Sequence, residues 1–129
     1  MLRILMVDDE PDAEFLFRQN FRREIRKQTY EFLFAHSGDQ ALKILENKEI
    51  RHELVLLSDI NMPGMTGLEL LDLVKLRNPK LPVIMITAYG DAETERDAIR
   101  RGAAKLVSKP VDFEYLKAEL ADLSSQTAQ

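Results

Sequence analysis

The chain has 129 residues, 18 basic and 22 acidic side chains, a net charge of -4 and no cysteine. That length allows one domain with its own core. The missing cysteines exclude a disulfide framework and thiolate zinc sites, and the acidic balance argues against a bare nucleic-acid binder. No apolar run approaches the roughly 20 residues of a membrane span. The N-terminal "LRILMV" is too short for a signal-peptide core and runs into "DDE", the wrong flank for cleavage. A cytoplasmic protein without membrane contact is the expectation.

In chain order, a first apolar run over 2–7 reads as a strand and delivers Asp8 and Asp9. A helix over 11–27 follows, opened by Pro11, whose missing N–H costs nothing at a first helical position. Ala13, Phe17, Phe21 and Ile25 give it a core-facing stripe. Arg18, Arg22 and Arg26 lie on another face, either solvated or a basic strip for a partner. A second strand is expected over 30–35 and a helix over 38–48, with Ser37 and Gln40 spaced as a capping box.

The third strand, 54–58, ends at Asp59. Thr66 and Glu69 form another capping box ahead of a helix over 67–77, which Asn78-Pro79 ends. A fourth strand over 82–87 delivers Thr87. The helix over 91–101 offers only Ala92, Ala98 and Ile99 for apolar contact, with Asp97 and Arg101 spaced to pair; a helix burying so little shifts at low cost. Gly102 ends it. A fifth strand over 104–108 delivers Lys109. The last helix, 112–123, is capped by Asp112, with Val111 and Leu116 spaced as a hydrophobic staple. Residues 1–124 read as one domain and 125–129 as a polar, disordered tail.

Short apolar runs alternating five times with amphipathic stretches read as an α/β protein, (βα)5, with a parallel sheet and right-handed crossovers. Ligands of such sheets bind outside the carboxyl ends of the strands. Asp8, Asp9, Asp59, Thr87 and Lys109 all fall at those ends. Three close carboxylates repel unless a cation neutralises them. A hard ion such as Mg2+, which takes carboxylates, water and phosphate oxygens, suits them. Lys109 offers a point charge and Thr87 a hydroxyl donor for a phosphoryl group, and Asp59 can act as a carboxylate nucleophile. His36 and His52 stand alone and suggest no zinc site. A buried structural ion-pair cluster is the alternative, at a high desolvation cost.

The stretches "ILMVDDEPD", "LLSDINMPGMTGLELL", "VIMITAYGD" and "LVSKPVD", in that order, resemble a response-regulator receiver domain of the chemotaxis type over about residues 2–123. The resemblance implies a doubly wound, flavodoxin-like sheet of order 2-1-3-4-5. It implies a phosphoacceptor at Asp59, with Mg2+ held by Asp9, Asp59 and the backbone carbonyl of Asn61, and by Asp8 through water. Thr87 and Lys109 match the switch hydroxyl and the phosphate-binding lysine. Pro110 matches a cis proline, and Met62-Pro63-Gly64 with Gly67 match the turn after the acceptor strand. Two departures stand out. Leu106 occupies the place of the usual switch aromatic, for which Tyr89 is the candidate substitute. The segment from the first helix through the second strand is also longer than usual.

The implied partners are a sensor histidine kinase or histidine phosphotransfer protein and a downstream effector, with a homodimer open and no direct contact with nucleic acid. The implied activity is a switch that phosphorylates and dephosphorylates itself, with Asn61 and Tyr89 flanking the water path, and not an enzyme turning over small substrates. A phosphohydrolase of small substrates, a flavin carrier and a phosphorylation-dead interaction module remain as rivals. A substrate-specificity insert, a phosphate-binding loop after the first strand, or an incomplete acid, hydroxyl and lysine set would have favoured them respectively; none is seen.

Overall fold

The computed structural model describes the backbone of residues 1–127 and the side chains through Leu123. The last helix, expected over 112–123, continues to Thr127, so 125–127 of the tail expected to be disordered are helical, and 128 and 129 lie outside the described residues. Five strands, β1 (Leu2–Val7), β2 (Tyr30–Ala35), β3 (Leu54–Asp59), β4 (Val83–Thr87) and β5 (Lys105–Ser108), form one parallel sheet of order β2-β1-β3-β4-β5.

The strands alternate between two apolar layers, as a period of two requires. Leu5, Val7, Leu54, Leu56, Val83 and Met85 face one cluster. Ile4, Met6, Val55, Leu57, Ile84 and Ile86 face the other. Helices α3 (Gly38–Leu45), α4 (Gly67–Arg77) and α5 (Ala92–Arg100) cover the first layer. Helices α1 (Pro11–Asn20), α2 (Arg22–Arg26) and α6 (Phe113–Thr127) cover the second. Phe17, Phe21, Phe32 and Phe113 fill the second layer, with ring centroids 4.9 Å apart for Phe21 and Phe32 and 5.2 Å for Phe17 and Phe113.

The helix expected over 11–27 is broken in two at Phe21, whose φ of -107° and ψ of 15° leave the helical region. The Asn20 side chain donates to the Leu16 carbonyl at 2.9 Å, the acceptor its own backbone N–H would use, and so competes with the helix. The stripe survives because the Phe17 and Phe21 carbonyls still accept from the N–H groups of Phe21 and Ile25. The stretch before β2 therefore holds a separate short helix. Arg18 pairs with Glu14 at 3.1 Å and lies over the Phe34 ring, whereas Arg22 and Arg26 are exposed.

Helix α3 stops at Leu45 instead of 48. Past it the Asn47 side chain accepts from the Glu49 N–H at 3.0 Å, a local turn that replaces the next helical bond. Ser37 caps α3, but Gln40 reaches back to the His36 N–H instead of to Ser37, so the reciprocal box forms only at Thr66 and Glu69. Asp112 accepts from the Tyr115 N–H, and Val111 and Leu116 join the same cluster.

Candidate functional site

The chain leaves β1 toward β2 on one side and later enters β3 on the other, so the crevice of an open α/β sheet lies at the carboxyl ends of β1 and β3. Asp8 follows β1 and Asp59 closes β3; each is 5% exposed, and Asp9 is more open to solvent. Ligand oxygens of Asp8, Asp9 and Asp59 lie within 4.8 Å of one another. Lys109, just past β5, reaches in with its Nζ 3.0 Å from Asp59 Oδ2 and 3.6 Å from Asp8 Oδ2.

Burial raises the Asp8 carboxyl above its ordinary range, and the Asp59 and Glu10 charges push the same way. The Glu10 N–H, donating to Asp8 Oδ1 at 3.0 Å, and the Lys109 charge oppose that without cancelling it. Burial pulls on the Lys109 ammonium in the downward direction, but its hydrogen bond to Asp59 and the charges of Asp59, Asp8 and Glu10 outweigh it, so its pKa is raised. The pocket is thus short of positive charge. Its all-oxygen donor set fits a hard divalent cation, and one lysine already serves as partial counter-ion.

Backbone geometry fixes Asp59. Asn61 N–H donates to Asp59 Oδ1 at 3.3 Å, and Gly67 N–H donates to the Ile60 carbonyl at 2.8 Å. A Cβ on Gly67 would stand 2.0 Å from the Asp59 carbonyl oxygen, so only glycine lets α4 start against the end of β3. Thr87 is 1% exposed, and its Oγ1 accepts from the Tyr89 N–H at 3.0 Å. The Lys109–Pro110 peptide is cis.

The residues singled out in the sequence separate here. Asp8, Asp9, Asp59 and Lys109 meet directly, Asn61 flanks them, and Thr87 stands at the next strand end. Tyr89 is 71% exposed, so its side chain buries little against the neighbouring loops. Leu106, where an aromatic was expected, is half-buried against the cluster beneath α3, α4 and α5.

Two features escaped sequence reasoning. Glu10 ties its backbone to Asp8 and adds charge, although the third acid of "DDE" was there to be noticed. A cavity of about 390 Å3 also opens beside Asp8 and Lys109, walled by Leu16, Phe17, Pro110 and Phe113. Its signal was Leu16, an exposed apolar residue off the core stripe.

Residues 4–121 match the family described as Response regulator receiver domain. The chain is 34% identical over 114 residues to the response regulator protein FleR of Pseudomonas aeruginosa, which covers 88% of this chain and 23% of that protein. It is 38% identical over 116 residues to the two-component response regulator ARR14 of Arabidopsis thaliana, covering 90% of this chain and 29% of the relative. The chain therefore spans well under a third of the length of these relatives. The response regulator TrrA of Thermotoga maritima, solved in complex with Mg(2+)-BeF, superposes with a TM-score of 0.77 at 30% identity, covering 95% of this chain and 99% of that one. Among the described residues, no helix is long and apolar enough to cross a membrane.

Proposed function

The chain belongs to the response regulator receiver domain family, and from that premise we propose that residues 1–124 form a receiver whose phosphoacceptor is Asp59. The donor is the phosphohistidine of a sensor histidine kinase or a histidine phosphotransfer protein. The observation that carries this reading is the convergence on Asp59 of the Lys109 ammonium, 3.0 Å away, and the Asp8 and Asp9 carboxylates.

An Asp59 carboxylate oxygen attacks phosphorus in line. The new O–P bond forms as the donor's N–P bond breaks, and the departing imidazole keeps the electron pair, left neutral by the proton on its other nitrogen. Asp8, Asp9, Asp59 and the Asn61 carbonyl would hold Mg2+, which when bound offsets the charge between carboxylates and phosphoryl oxygens. Lys109 turns from the phosphorylated carboxylate, now an acyl phosphate, to a phosphoryl oxygen. The Thr87 hydroxyl accepts from the Tyr89 N–H, which leaves its own proton free to donate to the phosphoryl group. The apolar cavity beside Lys109, with exposed Leu16 in its wall, offers the donor a seat.

Thr87 and Tyr89 move together through their hydrogen bond and carry the change toward α5, whose only buried residue is Ala98. A downstream effector, or a second copy of the chain, reads that surface. Attack of water on phosphorus later breaks the O–P bond and restores Asp59, so the chain acts on itself and turns over no external substrate. A cytoplasmic location goes with this reading, because the ATP that charges such a donor is there.

Intact-mass measurement after incubation with acetyl phosphate and Mg2+ tests it. One phosphoryl group per chain is expected, lost in Asp59→Asn and after chelation of the metal. A mass gain that survives Asp59→Asn would sink the assignment.

A further inference from the structure

At the opposite end of the sheet from Asp59, the segments before β3 and between α4 and β4 line an open cavity of about 440 Å3, within the size range of small-molecule sites. Leu54 and Leu81 are buried and form an apolar floor, with Pro79 and Pro82 beside them. Three cations line it: Arg51, half-buried, and Arg77 and Lys80, exposed. Among the described residues none of the three takes part in an ion pair. The acid lining this cavity, Glu53, is already engaged by the terminal ammonium at 3.1 Å.

Arg51 is incompletely satisfied. Its Nη1 donates to Asn78 Oδ1, whereas its Nε is buried with no acceptor. Buried donors without partners are rare in folded proteins. With Nη1 held by Asn78, the edge of the guanidinium left over is the one formed by Nε and Nη2, which two carboxylate oxygens match in geometry. Arg51 and Asn78 also line a smaller cavity of about 160 Å3 with Leu42, Leu45 and Val74, so the Arg51 side chain stands between two open volumes. Because its Nε is closed off in this conformation, the side chain must turn for that edge to meet an anion.

We propose that this cavity is a second binding site, for a carboxylate carried on an apolar body. Three cations against one neutralised acid select an anion. The leucine and proline floor selects an organic body over a bare inorganic ion. A small organic acid and an acidic side chain between apolar residues of a peptide share this chemistry.

The full chain, followed by two-dimensional 1H–15N spectra, is titrated with sodium hexanoate, and separately with sodium chloride and inorganic phosphate at equal ionic strength. Hexanoate is expected to give saturable shifts confined to residues 51–54 and 77–82. Arg51→Gln should weaken binding by about tenfold or more. Lys80→Gln, an exposed change that leaves the fold untouched, should weaken it roughly two- to fivefold. A short peptide with glutamate between two leucines and both ends blocked forms the second arm. Tighter binding than hexanoate assigns the site to a protein segment, and weaker binding assigns it to a small acid. Absence of saturable shifts, equal shifts with chloride, or phosphate binding as well as hexanoate would each overturn the proposal.

Discussion

The Lys109 ammonium is hydrogen-bonded to the Asp59 carboxylate at 3.0 Å, which makes the lysine the counter-ion of the nucleophile proposed here. The same Nζ lies 3.6 Å from Asp8. The pocket thus has two ways to be neutralised, by the lysine within the fold and by a cation from outside.

Lys109→Ala separates them. Removing the ammonium should raise Mg2+ affinity about three- to tenfold, because a competing positive charge is gone. Phosphorylation from acetyl phosphate should nevertheless slow by about ten- to a hundredfold, because nothing then meets the phosphoryl oxygens from that side. The side chain is partly exposed, so the cost to stability is discounted to about 1 kcal/mol. Calorimetric Mg2+ titration and a labelling time course check both. Weaker Mg2+ binding in the variant would show that Lys109 supports the metal instead of competing with it.

Glu69 sets a pH dependence at the start of α4. The backbone N–H of Thr66 and then its side-chain contact hold the Glu69 carboxyl below its ordinary range, with burial a smaller opposing effect. A carboxyl whose pKa is depressed by folding adds stability above its unfolded pKa and loses it as pH falls through the folded value. Urea midpoints measured downward from pH 6 should therefore fall through and below the ordinary glutamate range. In Glu69→Gln, which keeps an acceptor but cannot titrate, the fall should be shallower. Identical slopes would mean that the capping box has no share in the acid response.

Arg101 governs how firmly α5 is held. Just past the end of α5, it bonds Asp97 of that helix at 3.2 Å and Asp72 on α4 at 2.9 Å. With Ala98 the sole buried residue of α5, the Arg101–Asp72 pair is a side-chain link from its C-terminal end to α4. Arg101→Ala should cost about 0.5–1 kcal/mol. It should also speed amide hydrogen exchange across 92–100 several-fold while leaving that of α4 unchanged. Equal acceleration in both helices would point to global destabilisation instead.

The sheet and the pocket were legible in the sequence for one physical reason. Strands covered on both faces are short continuous apolar runs, and in a parallel sheet the residues just after each run emerge at the same edge. That places Asp8, Asp59, Thr87 and Lys109 together without knowledge of any contact. The break at Phe21 was not legible. Its apolar stripe is continuous, and the competing bond from Asn20 to Leu16 carries no mark in the periodicity. The exposure of Tyr89 was equally hidden, since a side chain two residues past a strand can be buried or open to solvent. Gln40 shows the same limit, because its spacing fits a capping box whether it bonds Ser37 or His36.

Gly67 and Gly64 give a matched pair in which one glycine should matter to the site and the other only to its own turn. A methyl group on Gly67 would sit 2.0 Å from the Asp59 carbonyl oxygen and 2.7 Å from the Ile60 Cα. Both are backbone atoms that cannot rotate aside. Gly67→Ala must push the start of α4 away from the end of β3, at about 2–3 kcal/mol, and drag the Asp59 carboxylate out of line with Lys109. Gly64 has φ of +75° and nothing within 4 Å of the position a methyl group would take, so Gly64→Ala carries only the left-handed backbone cost of about 1–2 kcal/mol. Both variants should lose thermal stability. Only Gly67→Ala should also lose phosphorylation rate when both are assayed well below their melting points. Equal rates in the two would show that Asp59 keeps its position independently of α4.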